Sequence, residues 1–525
     1  LVAPGTNTLI SAPSGSITLT ADTNIAAGTT VSIDSSGNAA QTWGPAPAIA
    51  DTVTLFAGAH PSNNTGPSVL ILDATHFVVF NNNVSASLGA QACSISGNVI
   101  SMGPVNNAVP FVNMPFAWKG FDNNAYPSAV AMSSSEFVVF YNDPISGNVN
   151  AAACSIDGSN NITVGTPVQM DTQAVVYWGA EAIALSSTSF IFAAQFNDNT
   201  VKAIIGTLSG NAITFGSFAT LTSAGNNAYA WLSPISSTEV LASYDDANNG
   251  ANTVWQVLQI SGTSITTNTV TVGAAGQLGL GESLNGSVFL SNAGQSGKVS
   301  GTTVTLGLSP ASNPTLYPYN SSAQVQNFGS DFLIALNNQF STPAVVAVNS
   351  GTLDISSVIE PIALPNNLFS PYGPLVPNGT TSFSFTMQGY GGSSSGTSLF
   401  PIYEESSSGV LSSPINHYVN AYWLYPLSTT QMLATIVTGS GQGNLMQARV
   451  VNVEPINSGP IGFSASAVSS GNSVTITLNN EVGGFSGLTP GTQYYGNGDG
   501  TITTADTGIP VGVALTSGTL LIGLE

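Results

Sequence analysis

Short apolar runs alternate with clusters of Gly, Asn, Asp and Ser along the whole chain, and the apolar positions nowhere take up a helical spacing of useful length. The runs themselves repeat. A strand headed by Phe and followed by a Gly/Asn-rich turn reads FVVFNNN from Phe77, FVVFYND from Phe137 and FIFAAQFNDN from Phe190. With fainter copies, Phe77, Phe137, Phe190, Val240, Val288, Phe332, Phe383 and Met432 form a series that steps by 44 to 60 residues. Within one unit, Ser128–Met132 predicts an inner strand, Phe137–Tyr141 a second, Val149–Ile156 a third and Ile162–Gln169 a fourth. The turns between them carry the residues that tolerate tight hairpin geometry. An uninterrupted apolar second strand is the mark of a sheet covered on both faces.

Four strands per unit at a period of about 50 residues is the pattern of a β-propeller. The expected fold is all-β: a seven- or eight-bladed β-propeller over residues 46–458, flanked by small N- and C-terminal β modules at 1–45 and 459–525. Eight anchors argue for eight blades. Seven blades with a strand exchanged between the chain ends fit the same residues, because the fifth unit is short and WGPAPAIADTVTLFAGAHP precedes the first.

Charge narrows the functions open to such a chain. Only 6% of the 525 residues are charged, the net charge is −21, and the cations are Lys119, Lys202, Lys298 and Arg449. A phosphate backbone is held by clustered Lys and Arg, so no nucleic acid partner is expected. Attraction to an anionic membrane fails on the same ground, and no apolar run reaches the roughly 18 residues of a spanning helix, so no membrane insertion is expected. The chain opens LVAPGTNTLI, with neither Met nor a signal-peptide pattern. Cys93 and Cys154 occupy matching places, QACSISG and AACSIDG, and read as small buried residues on neighbouring third strands; a disulfide between them is the alternative.

Catalytic constellations are sparse. A sialidase needs three arginines and this chain has one, while Ser32–Trp43 is too long to be an Asp-box. His60, His76 and His417 share no ligand spacing; His76 reads as a strand residue, and His417 alone has a loop-like setting. No GxSxG elbow occurs. Asp245-Asp246 and Glu404-Glu405 lie in or beside turns and read as solvated, since adjacent strand residues point to opposite faces and make no ready acid/base pair. Asn497 to Asp506 echoes a calcium loop but lacks its first ligand and flanking helices, and reads as a structural hairpin. No cofactor, no metal and no enzymatic activity are expected.

Aromatic residues give the best lead. Tyr126, Trp178, Tyr229, Tyr319, Tyr372 and Tyr422 each lie 10 to 13 residues ahead of a second-strand anchor, with Trp231 and Trp423 beside two of them. In a propeller that is where the innermost strand of each blade begins, so these residues are expected to ring one mouth of the channel. There they would stack on sugar rings while Asn and Ser bond the hydroxyls. Ordinary packing at the blade junctions is the competing account.

The C-terminal segment runs Gly487–Gly491 (GLTPG), Tyr494–Tyr495, Asp499–Gly500 and Val511–Ile522 (VGVALTSGTLLI). It resembles a module at the ends of tailed-phage fibre and virion-surface proteins, and AAGTTVSIDSSGN near the N-terminus is similar to a phage pattern. The resemblance covers about a fifth of the chain. It implies a virion-surface, extracellular location, other virion structural proteins as partners, attachment to a cell-surface glycan, and a homo-oligomer of the trimeric kind. Two readings of other classes stay open: a depolymerase with carboxylates in the funnel, and a purely structural capsid-decoration or surface-layer subunit.

Overall fold

The computed structural model describes residues 16–21, 30–33, 39–40, 53–55, 68–81, 89–108, 116–118, 125–127, 129–143, 145–223, 225, 230–250, 252–275, 280–284, 287–291, 295–307, 323–328, 331–336 and 344–359. Beyond these it describes 369–371, 376–378, 382–384, 387–389, 399–404, 415–418, 423–428, 431–438, 445–452, 462–464, 467–477, 480–483, 485–496, 502–504, 510–517 and 519–522. Nearly all of this is strand.

The fourth sheet shows the building rule. Trp231–Ser236 is its inner strand, Glu239–Asp246 the second, Asn252–Ser261 the third and Ser264–Thr267 the outer, each antiparallel to its neighbour. Every residue from Val240 to Asp246 is buried, because both faces of the second strand are covered by adjacent sheets. Residues at odd and even positions serve different neighbours. Val240, Ala242 and Tyr244 pack against Ile191 and Ala193 of the preceding sheet, while Leu241, Trp255 and Val257 pack against Phe289 of the following one. One strand thus supplies apolar side chains to two interfaces, which is the continuous apolar pattern read from the sequence.

Among the described residues eight such sheets follow one another between residues 53 and 452. Their inner strands lie side by side in the order Ser68–Asp73, Ala129–Ala131, Val175–Ser186, Trp231–Ser236, Leu280–Leu284, Ala323–Phe328, Val376–Asn378 and Trp423–Pro426. The last sheet packs back on the first: Tyr425, Leu427, Leu433, Ala448 and Val450 share a core with Val69, Phe77, Val79 and Cys93. The ring is closed, and the fold is a β-propeller. Closure uses both ends of the repeat region, since Val53–Leu55 adds the outer strand to the sheet of Trp423–Pro426, Gln431–Thr438 and Leu445–Asn452. The ends of the repeat region are thus joined by an exchanged strand, as one of the two expected closures had it.

A second rule fixes the cysteines. A second-strand Phe facing the preceding sheet pairs across to a small residue on the third: the anchors Phe77 with Cys93, Phe137 with Cys154 and Phe190 with Gly206, and, one residue past its anchor Val288, Phe289 with Gly297. A Cβ on Gly206 would sit 2.2 Å from the Phe190 ring, and one on Gly297 would sit 2.1 Å from the Phe289 ring. Cys93 and Cys154 are free and buried, filling the same slot with a slightly larger group.

Three details depart from the sequence reading. The expected fourth strand Ile162–Gln169 is broken into Ile162–Val164 and Val168–Gln169, with Gly165 donating its N–H to Ala153 and Pro167, which has no N–H, in the gap. His417 is not in a loop: it lies in the strand Ile415–Tyr418, paired with Phe400, because the edge of that sheet offers its segment a ladder. The terminal segments share a sheet, in which Ser16–Thr20 pairs with Ser473–Thr477 and Thr30–Ile33 with Gly462–Ser464. The GLTPG to VGVALTSGTLLI stretch builds a second sheet of its own around Leu488, Tyr494, Val511, Ala514 and Leu520. There the Tyr494 hydroxyl accepts the N–H of Thr489 at 2.9 Å, and Gly487 and Gly491 take left-handed φ of 75° and 80°.

Candidate functional site

Because each inner strand pairs antiparallel with the second, its first residues and the last residues of the second strand share one face of the ring. Trp231, the first residue of its strand, is in register with Ser243 near the end of the next. Tyr126 lies on Ala125–Pro127, Trp178 within Val175–Ser186, and Trp423 opens Trp423–Pro426. Trp231 and Trp423 thus open inner strands, Tyr126 stands just before one, and Trp178 lies three residues inside one. Tyr229, Tyr319, Tyr372 and Tyr422 lie outside the described residues. Trp231 is half-buried and packs at the seam against Leu241, Trp255, Val257 and Phe289.

The polar groups at this face mostly fasten the architecture. Asp143 accepts the N–H groups of Ile145 and Ser146, which hold its carboxyl below the usual range. Asp198 accepts the hydroxyl and N–H of Thr200, with the hydroxyl the larger cause of its lowered pKa. Asn142 clasps the next sheet with both ends of its amide, donating to the Val175 carbonyl at 2.9 Å and accepting the Val175 N–H at 3.0 Å. Glu181 reaches forward in the same way and accepts the N–H of Leu232 at 2.6 Å. Lys202 pairs with Asp171 at 2.8 Å beneath the Phe196 ring, 4.5 Å from its centroid, and so ties the third sheet to the segment that leads into it.

Asp245 and Asp246 correct the sequence reading. They are buried, not solvated, at 7% and 5% exposure. As strand geometry requires, they face opposite ways. Asp246 takes the Thr222 hydroxyl of the preceding sheet at 2.7 Å and the Asn249 amide at 2.6 Å, and it caps the short turn Ala247–Asn249. Asp245 takes the Thr253 hydroxyl at 2.7 Å, and burial pushes its carboxyl up to about 6 against the opposing effect of that bond. Sequence reasoning missed this because charge alone reads as surface; their place at the end of an otherwise apolar second strand was the available signal. The two do not converge on a common point, which removes them as an acid/base pair.

Among the described residues no group of three or more His, Cys, Asp or Glu side chains is arranged to hold a metal ion, and no helix is long and apolar enough to cross a membrane. The calcium-like stretch from Asn497 to Asp506 and the pair Glu404-Glu405 fall largely outside the residues whose side chains are described. Of the aromatics singled out from sequence, the side chain of Trp231 is described, and those of Tyr126, Trp178 and Trp423 are not.

No protein-family model matches the chain, and no curated protein matches it. Among solved structures it is similar to Sqt1 of Saccharomyces cerevisiae (11% identity, 70% of this chain and 100% of that one, TM-score 0.41). It is similar also to the BP39L lectin of Burkholderia pseudomallei (13% identity, 69% and 99%, TM-score 0.38). A third is the Cps50 (Swd1) beta-propeller domain of Myceliophteria thermophila (10% identity, 75% and 99%, TM-score 0.35). These likenesses are distant and carry no functional information.

Proposed function

We propose that this protein is a non-catalytic, glycan-adhesive propeller of a tailed-phage virion surface, a tail fibre or other external appendage. The eight sheets are its blades, and the terminal sheets serve attachment to other virion proteins or self-association. The observation that supports the reading is the recurrence of Tyr or Trp 10 to 13 residues ahead of the second-strand anchors, with Trp231 and Trp423 each opening an inner strand. Neutral sugars need apolar faces and hydrogen-bonding amides rather than charge, and a net charge of −21 with four cations leaves little else to offer an uncharged ligand. The phage setting rests on the GLTPG, Tyr-Tyr and VGVALTSGTLLI resemblance alone.

The test is binding of purified protein to host and environmental cells, beside a variant carrying Trp178→Ala and Tyr229→Ala. Saturable binding by the native protein that falls at least tenfold in a variant with unchanged circular dichroism supports the reading. A folded variant that binds as well as the native protein removes the mouth as the site. Failure of the native protein to bind any cell leaves a structural subunit as the better account.

A further inference from the structure

We propose that the seam between the fourth and fifth sheets is a pH-operated latch, in which Asp245 makes and releases the contact that amide side chains hold permanently in the two preceding seams. Asn142, Gln195 and Asp245 are equivalent residues, each five positions after its second-strand anchor Phe137, Phe190 or Val240. Each sits on the face turned to the next sheet. Asn142 donates to and accepts from Val175 there, and Gln195 donates to the Gly225 carbonyl just ahead of the fourth sheet at 3.4 Å. An amide offers a donor and an acceptor at every pH. A carboxylate only accepts, so Asp245 matches the amides only when protonated.

The surroundings are those of a joint with polar slack. Ser243 and Trp255 lie on the same face as Asp245 and Thr253, fully buried, and among the described residues neither the Ser243 hydroxyl nor the Trp255 indole N–H has a hydrogen-bond partner. At the corresponding place the second sheet carries Phe140 and the third Ala193, both apolar. From the fifth sheet come buried Ser291, Gln295 and Ser296, with Gln295 N–H held by the Ser291 hydroxyl at 2.9 Å.

The ionisable groups around the seam are few. On the fourth sheet, Glu239 lies at the far end of the second strand beside Gln259, and Tyr244 and Asp246 face the other way. The fifth sheet brings Glu282 on its inner strand, and Lys298, whose ammonium donates to the Ser350 carbonyl of the sixth sheet. The connecting residues 276–279 and 292–294 include no ionisable side chain. Burial raises the Asp245 carboxyl to about 6 from 3.8. An acid raised on folding stabilises fully below its unfolded pKa and loses that contribution as pH rises through its folded one. The latch is therefore closed in acid and released toward neutrality.

Trp231 and Trp255 at the seam make it directly readable. Tryptophan fluorescence and hydrogen exchange of Leu280–Leu284 and Val288–Ser291, corrected for intrinsic rates, are followed from pH 4.5 to 8 in native protein, Asp245→Asn and Glu282→Gln. The native protein is expected to gain at least tenfold protection on acidification with a midpoint near 6. Asp245→Asn is expected to stay protected throughout, and Glu282→Gln to keep the transition. A native protein with no transition, an unaltered transition in Asp245→Asn, or one abolished by Glu282→Gln overturns the proposal. Carboxyl carbon NMR titration of the native protein supplies the Asp245 midpoint if the Asn variant fails to fold; a midpoint near 4 overturns it equally.

Discussion

Substituting Gly165 by Ala tests how the sheets are locked to one another. In the second, third, fourth and sixth sheets the hairpin between the third and outer strands rests on the glycine that follows the outer strand of the sheet before it. A Cβ added at Gly165 would lie 2.3 Å from the carbonyl oxygen of Asn211 in the next sheet and 3.1 Å from that of Ala153 in its own. Ordinary contact begins at 3.4 Å, so the Asn211 turn must retreat by about 1 Å, and backbone on both sides cannot absorb this by a rotamer change. Retreat strains the Gly165 N–H bond to Ala153 and the Asn211 amide bond to the Ser155 hydroxyl at 3.2 Å. Overpacking costs about 1–3 kcal/mol and a weakened hydrogen bond about 1 kcal/mol, giving about 2–4 kcal/mol in total. Urea unfolding of Gly165→Ala, set beside Gly158→Ala, measures it. Gly158 is the control because a Cβ there meets nothing within 4 Å, and its variant should stay within about 0.5 kcal/mol of native. Equal midpoints for the two variants would refute the locking argument. The same clash recurs at Gly103 against Asn160 and at Gly216 against Thr263, so alanine at either should rank with Gly165→Ala.

Other outcomes follow from the same geometry. Asn142→Ala should free the amide of Val175 to exchange at least tenfold faster and cost about 1–3 kcal/mol, since it removes both bonds of one clasp. Phe190→Ala should cost about 3–5 kcal/mol by thermal unfolding, because its ring is fully buried between two sheets and covers Gly206. Burial pushes the Cys93 thiol up to about 12 and raises that of Cys154 further, so neither should react with iodoacetamide at pH 8 until the protein unfolds. Tyr494→Phe should lower the stability of the C-terminal sheet by about 1 kcal/mol, with faster exchange at the Thr489 amide.

What the sequence made legible was local. The Phe-headed second strands, the third strand Val149–Ile156 and the Gly/Asn turns are each fixed by neighbours in the chain, and periodicity records them directly. The ring's closure by Val53–Leu55 on Leu445–Asn452 is not recorded anywhere nearby; a three-residue strand carries no periodicity, and its partner lies at the other end of the repeats. The shared terminal sheet is hidden for the same reason. The extra pairing of Phe369–Pro371 with Met387–Gly389 in the seventh sheet joins two three-residue strands separated by two others, and so leaves no periodicity to read. Burial of Asp245 and Asp246 was masked by their charge, although Ala242 and Tyr244 before them already face a covered interface. For the mouth, spacing placed Trp231 at the start of an inner strand, but spacing says nothing of how far the ring tucks into the seam.

The central claim is that the mouth binds uncharged sugars through aromatic faces, and a glycan array probed with native protein at low and high salt tests it most directly. The account predicts retention on neutral glycans that is unchanged between about 50 mM and 500 mM salt, since no ion pair contributes. Retention confined to cationic ligands and lost in salt, or retention on no glycan at all, would contradict it.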